Sequence, residues 1–212
     1  MLIERNGEAP RPRTSARIAS SASVVGNVRI GAHAYVDHGV VIESSGPLVE
    51  IGDEALVFAG TVVRSVGGLT RPAFPVGIGE RTLVSPSCVL TGCQVGRNCY
   101  IATGAIVLQG ARLGDHVRIG AGAIVHATTV LPDHARVGLR HIAGPTAEGY
   151  ASTADVETAR RAVAELDFFE AAFGVSAADQ ARLHEQVMTT LLDEVHGWRD
   201  EPSTPRRPAG DP

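Results

Sequence analysis

The sequence predicts an all-β solenoid in which three six-residue repeats form each coil. An aliphatic residue recurs at six-residue intervals between Ile18 and Val137, and Gly often follows it. Self-similarity at a short fixed period is typical of solenoids rather than globular domains. The chain has 212 residues and is 44% hydrophobic but only 4% aromatic, which suits a narrow core of aliphatic side chains. The aliphatic-glycine pairs are Ile30-Gly31, Ile51-Gly52, Ile78-Gly79, Val95-Gly96, Leu113-Gly114, Ile119-Gly120 and Val137-Gly138.

The repeats organise the chain into four predicted segments. Residues 1–17 are polar and contain Pro10 and Pro12, so we expect an N-terminal arm. The solenoid is predicted over 18–145, with neighbouring coils roughly 4.8 Å apart, the spacing of adjacent strands. Two interruptions, 43–50 and 65–77, contain Gly and Pro clusters that predict loops.

After the repeats, the apolar spacing becomes helical. The sequence predicts one helix from Thr153 to Gly174 and a second that opens at Ser176 as N-cap and runs towards Trp198, both within a C-terminal helical segment over 146–200. We expect these helices to lie along the solenoid or to cover a strand edge at its open end. Residues 201–212 are rich in Pro and charge, which predicts a disordered tail.

Composition also limits the classes of partner. Net charge is −4, and no basic face with interleaved aromatic residues is present, so nucleic-acid binding is not expected. No apolar run approaches the length of a membrane span, and no signal peptide is recognised, which predicts a soluble cytoplasmic protein without membrane association. Cys88, Cys93 and Cys99 lie within the repeats and are interpreted as packed thiols.

Two long segments carry a resemblance to a known family. They are VVIESSGPLVEIGDEALVFAGTVVR, which begins at Val40, and VLTGCQVGRNCYIATGAIVLQGARLGDHVRIGAGAIV, which begins at Val89. In these segments, and more broadly from Ala22 to Pro145, the chain resembles the gamma-class carbonic anhydrases. The resemblance implies a left-handed parallel β-helix and a homotrimer with sites between subunits.

The resemblance does not extend to the metal ligands of that family. Its members bind a divalent metal through three histidines, and the matching positions here are Arg64, Pro86 and Thr91. Proline has no ligand atom, arginine is cationic and threonine is a poor zinc ligand. The family's corner Arg and Asp correspond to Glu43 and Ser45, and its Gln to Phe58. We therefore expect no metal and no cofactor, and no CO2 hydration.

Counting three repeats per coil aligns equivalent positions of successive coils. We call each such row of positions along the solenoid axis a column. Glu43 and Arg64 become neighbours on adjacent coils, with His126 in the same column two coils from Arg64. In the implied trimer, this column faces a second one across a subunit boundary. The first column contains Glu43, Arg64, Thr91, Leu108 and His126. The second contains Asp37, Phe58, Ser85 and Ala102, followed one residue later by His38, Ala59, Pro86 and Thr103.

These columns yield a candidate site for a small anion or carboxylate. Arg64 is predicted to bind the carboxylate, with His38 or Glu43 as acid or base. The predicted substrate-binding residues are Asp37, Ser45, Phe58, Ser85, Thr91 and Thr103. The alternative interpretation is that Glu43 and Arg64 form a salt bridge with no further role.

Three functions remain open from the sequence. The first is a divergent metal-independent enzyme acting on a small carboxylate, carbonyl or acyl substrate at the subunit interface. The second is a hexapeptide-repeat acyltransferase that uses coenzyme A or carrier-bound acyl groups, with His126 or His141 as candidate base. The third is a non-catalytic scaffold or binding protein.

Overall fold

The computed structural model describes residues 1–68, 71–163, 170, 173–175 and 180–196. They form a left-handed parallel β-solenoid with two helices, as the sequence predicts. In chain order the strands are β1 Leu2–Ile3, β2 Arg11–Pro12, β3 Arg17–Ile18, β4 Ser23–Val25, β5 Val28–Ile30, β6 Tyr35–Val36, β7 Val41–Glu43, β8 Val49–Ile51, β9 Leu56–Val57, β10 Val62–Arg64, β11 Val76–Ile78, β12 Leu83–Val84, β13 Val89–Thr91, β14 Gln94–Val95, β15 Tyr100–Ile101, β16 Ile106–Val107, β17 Arg112–Leu113, β18 Arg118–Ile119, β19 Ile124–Val125, β20 Val130–Leu131, β21 Arg136–Val137, β22 Ile142–Thr146 and β23 Gly149–Thr153.

The strands form three sheets that make the three faces of a prism. Face 1 contains β1, β4, β7, β10, β13, β16, β19, β22 and β23. Face 2 contains β2, β5, β8, β11, β14, β17 and β20. Face 3 contains β3, β6, β9, β12, β15, β18 and β21. All pairs are parallel except β22 with β23, so equivalent residues of successive coils lie beside one another.

The repeating aliphatic residues form the core. Successive side chains of a strand point to opposite sides of the sheet, so one residue of each repeat turns inward. On face 1 the inward ladder is fully buried and consists of Val24, Ile42, Val63, Leu90, Val107, Val125 and Ala143. Ladders of the same kind line the other two faces, and together they fill the prism with aliphatic side chains.

The parallel ladders begin inside the segment predicted as an N-terminal arm. Strand β1 pairs with β4, β2 with β5, and β3 with β6, so residues 2–18 add a coil at the start of the solenoid. The amino group of Met1 donates to the carbonyl of Ala22. This coil has little of the six-residue apolar pattern, which is why the sequence did not indicate it.

The second predicted loop folds back over a corner of the prism. Val66 and Phe74 form an antiparallel bridge within it. Phe74 covers Gly92, where an added Cβ would lie 2.5 Å from the Cβ of Phe74. Gly92 also has a φ of 51°, which glycine adopts without strain. The loop therefore packs on the coil only because this corner has no side chain.

The C-terminal end differs from the prediction in one respect. Strands β22 and β23 form an antiparallel hairpin, and β23 rather than a helix covers the last strand edge of face 1. The first helix, α1 (Val156–Val163), therefore begins after Thr153 and packs against this hairpin. Asp155 caps α1, because its Oδ2 accepts the backbone N–H of Thr158 at 2.8 Å.

The second helix, α2, runs from Gln180 to His196. Gly174 has a φ of 69° and donates its N–H to Glu170, as expected at a helix end. The predicted N-cap Ser176, the helix end near Trp198 and the tail 201–212 lie outside the described residues. Neither of the two described helices is long and apolar enough to cross a membrane.

The outward side chains differ among the faces. Face 1 and face 3 carry apolar stripes, whereas the corresponding positions of face 2 are polar or glycine apart from the exposed Val130 on β20. The face 1 stripe consists of Val41, Val62, Val89, Ile106, Ile124 and Ile142. The face 3 stripe consists of Tyr35, Leu56, Leu83 and Tyr100, and the outward positions on either side of it hold Arg17, Arg118 and Arg136. The face 2 positions hold Arg29, Glu50, Gly77, Gln94 and Arg112.

The three cysteines are buried free thiols in the core. Cys93 is fully buried, and burial raises the pKa of its thiol to about 12. Burial also raises the pKa of Cys88 and of Cys99. Since the thiolate is the reactive form, these positions resist thiol reagents while the solenoid is folded.

We predict that Cys93 reacts with a disulfide reagent at pH 8 only after the chain is denatured, as measured by thiol titration with and without urea. The same pKa shift makes stability depend on pH. In the unfolded chain the thiol of Cys93 ionises near its ordinary pKa of 9.0, whereas in the folded chain its pKa is about 12. The free energy of unfolding is therefore unaffected by this group below pH 9 and falls as the pH rises from 9 towards about 12. Rapid modification of Cys93 in the folded protein would contradict this.

Candidate functional site

The first column of polar residues lies at the end of successive strands on face 1. Arg64 ends β10 and lies in register with Glu43 on β7 and with Thr91 on β13. Each residue follows a fully buried aliphatic residue, so its side chain points out of the prism. The hydroxyl of Thr91 donates to the carbonyl of Val107 at 3.5 Å. The structure thus places Glu43, Arg64 and Thr91 side by side, as the repeat predicts.

An arginine from the first coil joins this column. Arg5 forms an ion pair with Oε1 of Glu43, while Nε of Arg64 lies 3.8 Å from Oε2 of the same carboxylate. The side chains of Arg5, Glu43 and Arg64 are 14%, 21% and 38% exposed. Two guanidinium groups therefore lie against one carboxylate where water is partly excluded.

Sequence reasoning missed Arg5. It lies within the segment predicted as an arm. No six-residue repeat is recognisable there, so the sequence does not show which column a residue belongs to. The only usable signal is Leu2-Ile3 just before it, an aliphatic pair that forms β1 and aligns with Val24 and Val25. Val25 is itself in register with Glu43, which explains how the first coil brings a cation to this position.

His126 belongs to the face 1 column but lies farther from Arg64 than predicted. The order along the face is β10, β13, β16 and β19, so three strand spacings, about 14 Å, separate the two residues rather than two. His126 is half-buried, and burial lowers its pKa. Its imidazole is therefore neutral at pH 7 and can accept a proton.

The second column lies on face 3 and at the corner that follows it. Asp37 Oδ1 accepts the backbone N–H of His38 at 2.7 Å and the hydroxyl of Tyr35 at 2.9 Å. These two hydrogen bonds lower the pKa of Asp37. Nδ1 of the exposed His38 lies 2.8 Å from the hydroxyl oxygen of Ser21. Asp37 thus stiffens the corner, and Ser21 orients the imidazole of His38.

The remaining predicted residues of this column differ in exposure. Phe58 packs edge-to-face against Tyr35, with ring centroids 6.2 Å apart. Ser85 is buried, and its carbonyl accepts the hydroxyl of Thr61 at 3.1 Å. Thr103 is exposed at the next corner position. Phe58 and Thr103 therefore offer side chains to a ligand more readily than Ser85 does.

The side chain of Ser45 is buried and makes its hydrogen bonds within the fold. It is 1% exposed, and its hydroxyl donates to the carbonyl of Ser65 at 2.8 Å. Its backbone N–H donates to the hydroxyl of Ser65 at 3.3 Å. These contacts hold the two loop-bearing coils together, so the geometry gives Ser45 a structural part rather than the substrate-binding one predicted from the sequence.

Three residues that the resemblance predicts at the positions of the family's metal ligands, Arg64, Pro86 and Thr91, do not offer a set of ligands for a metal ion. Arg64 is cationic and lies beside Glu43, Pro86 has no side-chain donor atom, and the hydroxyl of Thr91 faces a carbonyl. Among the described residues, no group of three or more His, Cys, Asp or Glu side chains is arranged to hold a metal.

Comparison with known proteins places the chain among hexapeptide-repeat proteins. Residues 92–127 match the family model described as bacterial transferase hexapeptide (six repeats). Gamma carbonic anhydrase 1, mitochondrial, from Arabidopsis thaliana is 30% identical over 99 residues, which cover 46% of this chain and 36% of the relative. The chain thus contains a segment that matches the hexapeptide-repeat model, and it shows distant homology to gamma carbonic anhydrases.

Two further matches agree with this assignment. Gamma carbonic anhydrase 2, mitochondrial, from the same plant is 28% identical over 89 residues, 42% of this chain and 32% of the relative. The chain thus aligns with about a third of the length of these curated relatives. A hexapeptide transferase family protein from Anaplasma phagocytophilum has the same fold, with a TM-score of 0.51, 18% identity, and coverage of 93% of this chain and 98% of that one.

We predict that Glu43→Gln destabilises the protein, because it leaves the guanidinium groups of Arg5 and Arg64 without their shared carboxylate. The expected loss of unfolding free energy, measured by urea denaturation, is on the order of 1–3 kcal/mol, between that of exposed and of buried ion pairs. Glu54→Gln is the matched control, since the Glu54–Arg81 pair is largely exposed. Equal effects of the two substitutions would contradict the importance of the cluster.

Proposed function

We propose that the protein is a homotrimer in which face 1 of one subunit packs against face 3 of the next. The two faces carry the apolar stripes and share a corner of the prism, whereas the outward positions of face 2 are mostly polar or glycine. When two different apolar surfaces lie on adjoining faces, one surface of each subunit can pack against the other surface of the next subunit. Such a heterologous contact closes into a ring. This arrangement agrees with the trimer that the family resemblance implies.

In this trimer the two polar columns meet at the subunit boundary. Arg5, Glu43 and Arg64 of one subunit face the corner of the partner subunit that carries His38. The observation that carries the proposal is the Arg5–Glu43–Arg64 cluster at the edge of an apolar stripe, in which two guanidinium groups lie against one carboxylate. The Arg64 side chain is 38% exposed, so an anionic ligand could reach it at the boundary.

We propose a small carboxylate, or a carbonyl or acyl compound that also bears a carboxylate, as the ligand. Arginine binds carboxylates through two parallel N–H donors, and Nε of Arg64 lies beyond hydrogen-bonding distance of Glu43. The Arg64 side chain is partly exposed, which leaves it accessible to a ligand from solvent. Thr91, Phe58 and Thr103 would contact the rest of the molecule.

The reaction that fits these residues is metal-independent proton transfer. His38 of the opposite column would act as acid or base, with its ring oriented by Ser21 and its corner stiffened by Asp37. Glu43 would fix the position of Arg64 and is the second candidate for proton transfer. CO2 hydration is not part of the proposal, because Arg64, Pro86 and Thr91, which the resemblance predicts at the family's metal positions, do not offer a set of metal ligands.

Acyl transfer is the second candidate function. It is favoured by the match of residues 92–127 to the bacterial transferase hexapeptide model and by the neutral imidazole of His126 near the end of that segment. A neutral histidine can remove the proton of an acceptor during attack on a thioester. In this case coenzyme A or a carrier-bound acyl group would be a substrate.

We predict that calorimetric titration with pyruvate, malonate and succinate detects binding of at least one of them. Arg64→Ala should abolish the binding, and Arg64→Lys should weaken it because lysine lacks the planar pair of donors. Arg29→Ala, on the polar face, is the control and should bind normally. Coenzyme A binding that depends on His126 but not on Arg64 would instead support acyl transfer, and a lack of binding to all probes would favour a scaffold.

We predict that Leu83→Arg converts the trimer to monomers, because it places a charge in the apolar stripe of face 3. Sedimentation equilibrium of the variant and the wild type measures the change. Gln94→Arg, at the corresponding outward position of face 2, should leave the trimer intact. A wild type that is monomeric at micromolar concentration would overturn the proposed assembly.

A further inference from the structure

One corner of the prism repeats an unusual backbone conformation from coil to coil. It follows face 2, and its residues have positive φ although they are not glycine. Left-handed backbone is tolerated best by Asn, Asp and His among such residues. The residues of this corner are His33, Glu54, Arg81, Asn98, His116 and His134.

The last two of these residues form a stacked histidine pair. The rings of His116 and His134 are nearly parallel, with an interplanar angle of 4° and centroids 4.8 Å apart. Both side chains are exposed, and their φ angles, 60° and 62°, are nearly identical. The backbone N–H of each is bonded to the preceding coil, His116 to Arg97 and His134 to Asp115. The backbone therefore fixes the two imidazoles side by side while leaving their rings in solvent.

We propose that His116 and His134 form a binding site for a divalent transition metal ion, with Cu²⁺ as the best-fitting ion. Neutral imidazole suits Cu²⁺, Ni²⁺ and Zn²⁺, and Cu²⁺ forms the strongest complexes with a given set of nitrogen ligands. Two metal–nitrogen bonds of about 2.0 Å hold their nitrogens at most about 4 Å apart. Modest rotation of two exposed rings at 4.8 Å provides that distance without any backbone movement.

Both oxygens of Asp115 and one oxygen of Asp133, the neighbouring carboxylates, accept hydrogen bonds from other groups. Oδ2 of Asp115 accepts Nη2 of Arg97 at 2.9 Å, and its Oδ1 accepts the backbone N–H of Arg97 at 2.8 Å. Oδ1 of Asp133 accepts the backbone N–H of Asp115 at 2.8 Å. The protein ligands of the site are thus two imidazole nitrogens, and water completes the coordination of the ion. This site is distinct from the proposed carboxylate site, which lies between face 1 and face 3.

The test is titration of the untagged full chain with Cu²⁺, followed by electron paramagnetic resonance. We expect a saturable site whose spectrum shows coupling to two imidazole nitrogens. His116→Asn and His134→Asn should each remove the two-nitrogen signal and lower the affinity about tenfold or more. Asparagine is the suitable replacement because Asn98 already occupies this corner with a φ of 54°.

The control is His33→Asn. His33 has the same backbone conformation, with a φ of 57°, and is exposed, but its neighbour in the next coil is Glu54 rather than histidine. This variant should retain the two-nitrogen spectrum and the affinity of the wild type. The proposal is overturned if the wild type shows no two-nitrogen signal, or if the signal persists in His116→Asn or His134→Asn. Circular dichroism of each variant verifies that the solenoid remains folded.

Discussion

The parallel hydrogen-bond ladder between successive coils is the constraint on which the rest of the structure depends. Each strand is only two to five residues long, so no strand is stable by itself. The ladder places every residue beside its equivalents above and below, and the aliphatic residue of each repeat then forms an uninterrupted buried column. Glycine at tight corners, such as Gly92 beneath Phe74, permits the close approach that the ladder requires.

The same ladder explains why so much of the fold could be predicted from the sequence. With a fixed period, the position of a residue in the sequence determines both its face of the prism and its coil along the solenoid axis. Glu43, Arg64 and Thr91 could therefore be assigned to one column from the sequence alone. The prediction was wrong in the height of His126, because Thr91 and Leu108 stand between Arg64 and His126 in the column and make the separation three strand spacings. It also failed where another interaction takes over, as in the β22–β23 hairpin, which forms where a helix was expected to begin.

The candidate site was predictable only in part. The repeat indicates which side chains point outward, but it does not indicate their hydrogen-bond partners. Ser45 lies at a corner and bonds to Ser65, whereas Arg5 comes from a coil without a recognisable repeat and reaches Glu43. Both outcomes depend on the paths of non-repetitive segments, and no periodic pattern in the chain describes those paths.

The antiparallel strand β23 has a consequence for the behaviour of the molecule in concentrated solution. A parallel solenoid ends in an exposed edge that is a template for the next coil, and the coils of another molecule could continue it indefinitely. Because β23 runs in the opposite direction to β22, the hydrogen-bonding pattern that it presents on face 1 no longer matches an incoming parallel coil. The hairpin thus removes the template for a parallel strand on face 1, one of the three faces that a continuing coil would have to extend.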